Sequence, residues 1–139
     1  MIVVDSSALV SILLRESGWE ALLETIASAE SALVSAASII EVSMVIRARL
    51  GDEGETALDE LIRSLDLKQE PVGGTQVEIA RDAFRRFGKG RHPAGLNFGD
   101  LFPNALARSR DCPLLFVGDH FARTDIAVAA RSGPEATDP

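Results

Sequence analysis

The chain opens on Ile2-Val3-Val4, three apolar residues without alternation, and the run stops at Asp5. An unbroken apolar run of this kind predicts a short strand buried on both faces, as in a parallel sheet. Ser6 and Ser7 follow, and the apolar residues behind them have helical spacing up to Leu14. Asp5 is therefore expected at the carboxyl end of a central strand, where a helix begins. Ligands bind at that edge in open α/β sheets. Asp5 has two readings at this point. It can cap the helix, a contribution of about 1 kcal/mol, or it can face solvent, a metal or a phosphate.

The remaining pattern alternates in the same way. Trp19 to Ala29 is helical by spacing, with Trp19, Leu22, Leu23 and Ile26 on one face. Ala32-Leu33-Val34 is a second strand. A helix then starts at Ser35 or Ser38 and runs to Gly51, a usual C-terminal stop. Glu41 is the only charge between Glu30 and Arg47. It must reach solvent or a partner, on a helix whose neighbours suggest burial. Gly51 to Glu55 reads as an acidic turn, Thr56 to Leu65 as a helix, and Leu67 to Val72 as an edge strand beside Pro71. Val77 to Phe87 is a helix with Val77, Ala80, Ala83, Phe84 and Phe87 toward the core. Leu114 to Val117 is the clearest later strand, and it ends at Gly118-Asp119-His120.

Pro103 constrains the helix before that strand. Deep in a helix a proline costs about 3 kcal/mol, so the helix is expected to start close by, with Gly99 or Asp100 near the N-cap. Asp100 then lies at the positive end of a helix, as a capping acid or as a site acid. Phe121 to Ala130 reads as a short strand or helix. A single domain is expected over residues 1–130, with a polar, disordered tail over 131–139.

Composition narrows the classes. At 139 residues the chain fits one domain. One cysteine, Cys112, makes no internal disulfide and excludes a multi-cysteine metal site. A cytoplasmic setting is the expectation, with no signal peptide and no membrane span. The net charge of −7 argues against nucleic-acid binding taken globally. The cations are unevenly spread, however: Arg81, Arg85, Arg86, Lys89 and Arg91 are five of the 14 Lys and Arg. The Gly-rich loop from Gly88 to Gly95 lacks the Gly-Lys-Ser/Thr ending of a P-loop. Its His92 reads as solvated, and its cations as either a solvated run or a polynucleotide contact.

Two strands thus end in acids, Asp5 and Asp119, a helix start carries Asp100, and an apolar helix carries Glu41. If the two strands are parallel neighbours, three of these acids meet at one sheet edge. Like charges so placed raise one another's pKa and invite a divalent cation. Carboxylate-only ligation points to Mg²⁺ or Mn²⁺, whose bound water can attack a phosphodiester. Aspartyl-phosphate phosphatases also begin with a strand-end Asp, but need a second Asp where Ser7 stands. Receiver modules need paired acids and a later Lys, and no Lys follows Val117.

At these residues the chain resembles the PIN-domain ribonucleases, specifically the VapC toxins of bacterial toxin–antitoxin pairs. The resemblance rests on Val3-Val4-Asp5-Ser6-Ser7-Ala8, Ser38-Ile39-Ile40-Glu41, Leu96-Asn97-Phe98-Gly99-Asp100 and Phe116 to Ile126, with the Gly88 to Arg91 loop. It implies a three-layer α/β/α sandwich around a mostly parallel sheet, and a Mg²⁺-dependent endoribonuclease, with Mn²⁺ as a substitute. Asp5 and Asp100 match the metal ligands, Glu41 the acid that places metal and water, and Ser7 a supporting hydroxyl. The family's fourth acid usually directly precedes Phe121. Here His120 stands there, and Asp119, one place earlier, is taken as the fourth catalytic acid, with His120 and Asp125 as alternatives. Arg81, Arg85, Lys89 and Arg91 are candidate RNA contacts. The resemblance further implies a VapB-type antitoxin that places a basic side chain in the acidic pocket, a homodimer, and contact with DNA only through the antitoxin. The alternative is a catalytically weakened PIN domain that mainly binds its antitoxin.

Overall fold

A computed structural model of the chain describes residues 1–129. The tail over 131–139 lies outside the described residues. Four strands, β1 (Ile2–Val4), β2 (Ala32–Ser35), β3 (Lys68–Glu70) and β4 (Leu114–Leu115), form one parallel sheet in the order β3-β2-β1-β4. Five helices connect and cover them: α1 (Ser6–Leu13), α2 (Trp19–Ser28), α3 (Ala36–Ser64), α4 (Gly74–Phe87) and α5 (Phe98–Arg110).

Side chains alternate across a strand, and the two apolar cores follow that alternation. Ile2, Val4, Ala32, Val34 and Leu115 pack on one face with Leu9, Leu22, Ile26, Val42, Ile46 and Leu58 of α1–α3. Val3, Leu33, Leu114 and Phe116 pack on the other with Leu96, Leu106, Ala107 and Phe121. This is the three-layer α/β/α architecture that the resemblance implied, around strands buried on both faces as their unbroken apolar runs predicted.

The sheet order sets the position of the site. The chain leaves β1 for β2 on one side and later returns to pair β4 on the other, with Val3 opposite Leu114 and Val4 opposite Leu115. The order of strands reverses between β1 and β4, and a crevice opens at such a switch point. Asp5 and the residues after β4 flank it. The Asp5 N–H donates to the Leu115 carbonyl at 2.9 Å, which holds the two strand ends together.

Several local expectations need correction. Gly51 interrupts the third helix as expected, but no acidic turn follows it. It sits at φ 68° and ψ −153°, a conformation open to glycine, and helix resumes directly beyond it. The helix α3 is therefore kinked, and the segment Gly51 to Glu55 is part of it. Nor is its first half buried all round, since Ile40, Met44 and Val45 are exposed. Val77 and Phe84 do not face the core: both are partly exposed and line a groove between α4 and α5. The last sheet strand stops at Leu115 rather than Val117. Phe121–Arg123 is a single 3₁₀ turn, and Val128 bridges Leu114 beyond it.

The start of α5 also differs from expectation. Its N-cap is Asn97, whose Oδ1 accepts from the Asp100 N–H at 3.1 Å. The Asp100 carboxylate accepts from the Asn97 N–H at 2.9 Å. This reciprocal capping box satisfies two helix-start donors and explains why the cap lies before Gly99. Pro103 then falls in the second turn. His92 is not simply solvated either: its Nδ1 accepts from the Ala94 N–H at 3.0 Å, with its ring edge-on to Phe87.

Candidate active site

The sharp turn from β1 into α1 presents Asp5 inward. Its carboxylate caps α1 by accepting from the Ser7 N–H at 3.0 Å, and it accepts again from the Ser7 hydroxyl at 2.5 Å. The Ser7 Oγ in turn accepts from the Val117 N–H at 2.9 Å. Ser7 thus ties the Asp5 side chain to the chain just beyond β4. The capping reading of Asp5 holds, and the same side chain, only 4 % exposed, also lines the cleft described below.

Burial is the largest influence on Asp5 and pushes its pKa from 3.8 up to about 6. The two hydrogen bonds from Ser7 pull it back part of the way, and the charges of Asp100 and Glu41 push it up further. Asp5 therefore senses the charges of both Asp100 and Glu41. The parallel pairing of β1 with β4 and the packing of α3 against α5 bring these acids to one sheet edge.

Glu41 reaches the edge from α3. Its Oε1 accepts a hydrogen bond from the Ser6 hydroxyl. Its other oxygen lies against Gly99, where an added Cβ would collide with Oε2. Only a glycine at 99 lets α5 begin this close to the Glu41 carboxylate. Glu41 is thus half-buried and held between two elements, with no cation paired to it among the described residues.

Asp5, Ser6, Ser7, Asn97, Asp100 and the segment Val117–Phe121 enclose a polar cleft of about 250 Å³. Within it, His120 Nδ1 lies 3.2 Å from Asp100 Oδ2. Asp119 also lines the cleft, but its side chain is 73 % exposed and pairs with Arg123 at 3.4 Å. Asp125 is drawn away altogether, into ion pairs with Arg86 and Arg108. Sequence reasoning missed two members, Asn97 and the Ser6 hydroxyl. The Asn-x-x-Asp spacing of a capping box was the available signal for the first. The second depended on a contact 35 residues away.

Among the described residues, no three His, Cys, Asp or Glu side chains are grouped as a ready ligand cage. The donor chemistry instead suits a hard cation bound through one or two carboxylates. Mg²⁺ is held in just this way, with water completing its shell. Asp5 and Asp100 would supply those oxygens, and a cation there would favour the ionised Asp5 that burial, and to a lesser degree the charges of Asp100 and Glu41, disfavour.

The four candidate RNA contacts lie elsewhere. Arg81 and Arg85 project from α4 with only long ion pairs to Glu78 and Asp82, at 3.5 and 3.8 Å. They line an apolar groove of about 440 Å³ with Val77, Phe84, Phe98 and Leu101. Lys89 and Arg91 follow in the exposed loop, where the Arg91 guanidinium stands 5.8 Å from the Phe84 ring centre.

The PIN-domain family model matches residues 2–127, essentially every element described above. A "Ribonuclease VapC" from Mycolicibacterium smegmatis is 43% identical over 125 residues, covering 90% of this chain and 97% of the relative. "Ribonuclease VapC30" of Mycobacterium tuberculosis is 41% identical over 128 residues, covering 92% and 98%. The chain therefore belongs to the PIN-domain family and, within it, to the VapC ribonucleases. The fold agrees. The structure of M. tuberculosis VapC20, described as a sarcin-ricin loop cleaving toxin, superposes with a TM-score of 0.77 at 17% identity, over 95% of this chain and 100% of that one. A VapBC2 structure from Rickettsia felis, bound to a DNA fragment from its promoter, gives 0.69 at 14% identity, over 92% and 96%.

Proposed function

We propose that the chain is a toxin endoribonuclease that hydrolyses RNA phosphodiester bonds with a divalent cation, Mg²⁺ or Mn²⁺, held by Asp5 and Asp100. One observation carries the reading: Asp5 is buried at the switch point of a parallel sheet, with Asp100 and Glu41 close enough to raise its pKa. Such a site is costly to leave as it is and is repaid by binding a cation. The cation, when bound, supplies neutralising charge for a scissile phosphate and an acidified water.

The chain's own residues have separate tasks. Ser7 locks the Asp5 carboxylate in one rotamer through its 2.5 Å hydrogen bond. Asn97 orients Asp100 through the capping box. Glu41, anchored by Ser6, is placed to accept a proton from the attacking water. Asp119, on the rim, adds negative charge, and Arg81, Arg85, Lys89 and Arg91 offer contacts to phosphates outside the cleft. The names of the relatives support ribonuclease activity. A VapB-type antitoxin is the proposed partner, in keeping with the VapBC2 complex among the structural neighbours. The chain is further proposed to be a cytoplasmic homodimer that meets DNA only through that antitoxin. Among the described residues no helix is long and apolar enough to cross a membrane.

The test is cleavage of purified tRNA and ribosomal RNA with Mg²⁺ or Mn²⁺, with chelator, and with Asp100→Asn. Discrete cuts that need the metal and fall about a thousandfold in the variant are expected, as for the loss of several kcal/mol of transition-state stabilisation. Undiminished cutting by Asp100→Asn or in chelator would sink the reading.

A further inference from the structure

The proposal concerns His120, and it rests on the cation-binding reading of Asp100 given above. The Asp100 Oδ2 atom has two close neighbours: the Asn97 N–H at 2.9 Å and His120 Nδ1 at 3.2 Å. An ionised carboxylate only accepts hydrogen bonds, so Nδ1 is the protonated ring nitrogen in this contact. A carboxylate oxygen offers two lone-pair directions. Both directions of Oδ2 are thereby taken, one by backbone and one by imidazole. Asp100 has Oδ1 left to offer to the cleft.

We propose that His120 is a positioning residue that makes Asp100 a one-oxygen ligand and so sets which cation the site prefers. The two hard cations differ in what they ask of a carboxylate. Mg²⁺ demands a compact octahedral shell, holds carboxylates through single oxygens and keeps several waters. Ca²⁺ is larger, takes six to eight oxygens and readily uses both oxygens of one carboxylate. Tying up Oδ2 withholds the second oxygen and favours Mg²⁺ over Ca²⁺. The other acid has the same arrangement: Asp5 Oδ2 accepts from both the Ser7 N–H and the Ser7 hydroxyl. Each strand-edge acid thus has one oxygen clamped by the protein and one left over. His120 brings its clamp to Asp100 from the segment after β4.

The experiment is calorimetric titration of the full chain with Mg²⁺ and, separately, Ca²⁺, compared with His120→Ala, His120→Asn and His120→Gln. The side chain of His120 is half-exposed, so none of these changes opens a core cavity. Thermal melts check folding. Outer hydrogen-bond partners of metal ligands typically contribute about tenfold or more to affinity. His120→Ala is expected to weaken Mg²⁺ by about tenfold and Ca²⁺ by less, so the Mg²⁺ preference falls. His120→Asn, which can present an N–H near the Nδ1 position, is expected to restore the preference. An unchanged ratio in His120→Ala overturns the proposal. So does rescue by His120→Gln and not by His120→Asn, because that pattern marks the other ring nitrogen as the functional one. Failure of the unaltered chain to bind either cation removes the cation site itself, a result distinct from a site that binds but does not discriminate.

Discussion

Two concavities of this molecule are opposites. The larger, between α4 and α5, is apolar and rimmed by Arg81 and Arg85. The smaller, at the carboxyl edge of β1 and β4, is polar and holds Asp5 and Asp100. Size would direct attention to the first, chemistry to the second. An apolar groove is assembled from side chains that could each be exchanged for another of similar volume. The acid cleft stores unfavourable energy in a buried carboxylate and fixes one oxygen of each aspartate by named donors. Strain of that kind persists where it is used.

The sharpest way to break the contrast is to remove the buried charge. The folded-state pKa of Asp5 is raised, so the folded chain holds its proton more tightly than the unfolded chain does. Stability contributed by the protonated form is therefore greatest below about pH 4 and is lost as pH rises toward about 6. The loss amounts to about 3 kcal/mol. Denaturant unfolding of the metal-free chain should show this fall. Asp5→Asn should remove it, so the variant is expected to be the more stable protein at pH 7, while failing to cleave RNA. If Asp5→Asn is no more stable there than the parent, the cleft does not carry the strain assigned to it.

A second, smaller change probes fit rather than charge. Gly99→Ala places a methyl against the Glu41 carboxylate. Glu41 can swing aside, since its free end is the group in the way, so stability should shift by less than about 1 kcal/mol. Cleavage should fall by about tenfold to a hundredfold, the cost of an ångström-scale misplacement. Equal losses of stability and activity would instead make Gly99 a packing residue. The mildest test lies in the groove. Val77→Ser touches none of the cleft residues and is expected to change Mg²⁺ affinity by less than about twofold. A larger effect in titration would mean that the two concavities are coupled.

Much of the site was legible because its chemistry is local in the chain. The stop of an apolar run at Asp5 placed it at a strand end, and the unbroken Leu114-Leu115-Phe116 run marked a second buried strand, while its pairing with β1 came only from the structure. Composition could not show that α4 exposes Val77 and Phe84, because an apolar helix face reads alike whether it meets a core or an open groove. Nor could spacing decide among Asp119, His120 and Asp125. The three lie within seven residues, yet one pairs with Arg123, one faces Asp100 and one is held by Arg86 and Arg108.

The sequence by itself determined the layered fold, the strand ends and the types of residue gathered there, since periodicity and helix-start chemistry are encoded over a few neighbours. The tertiary structure alone decided the order of strands, the approach of Glu41 to Gly99 and the pairing of His120 with Asp100. Those partners lie 20 or more residues apart in the chain, and only packing in three dimensions brings them together.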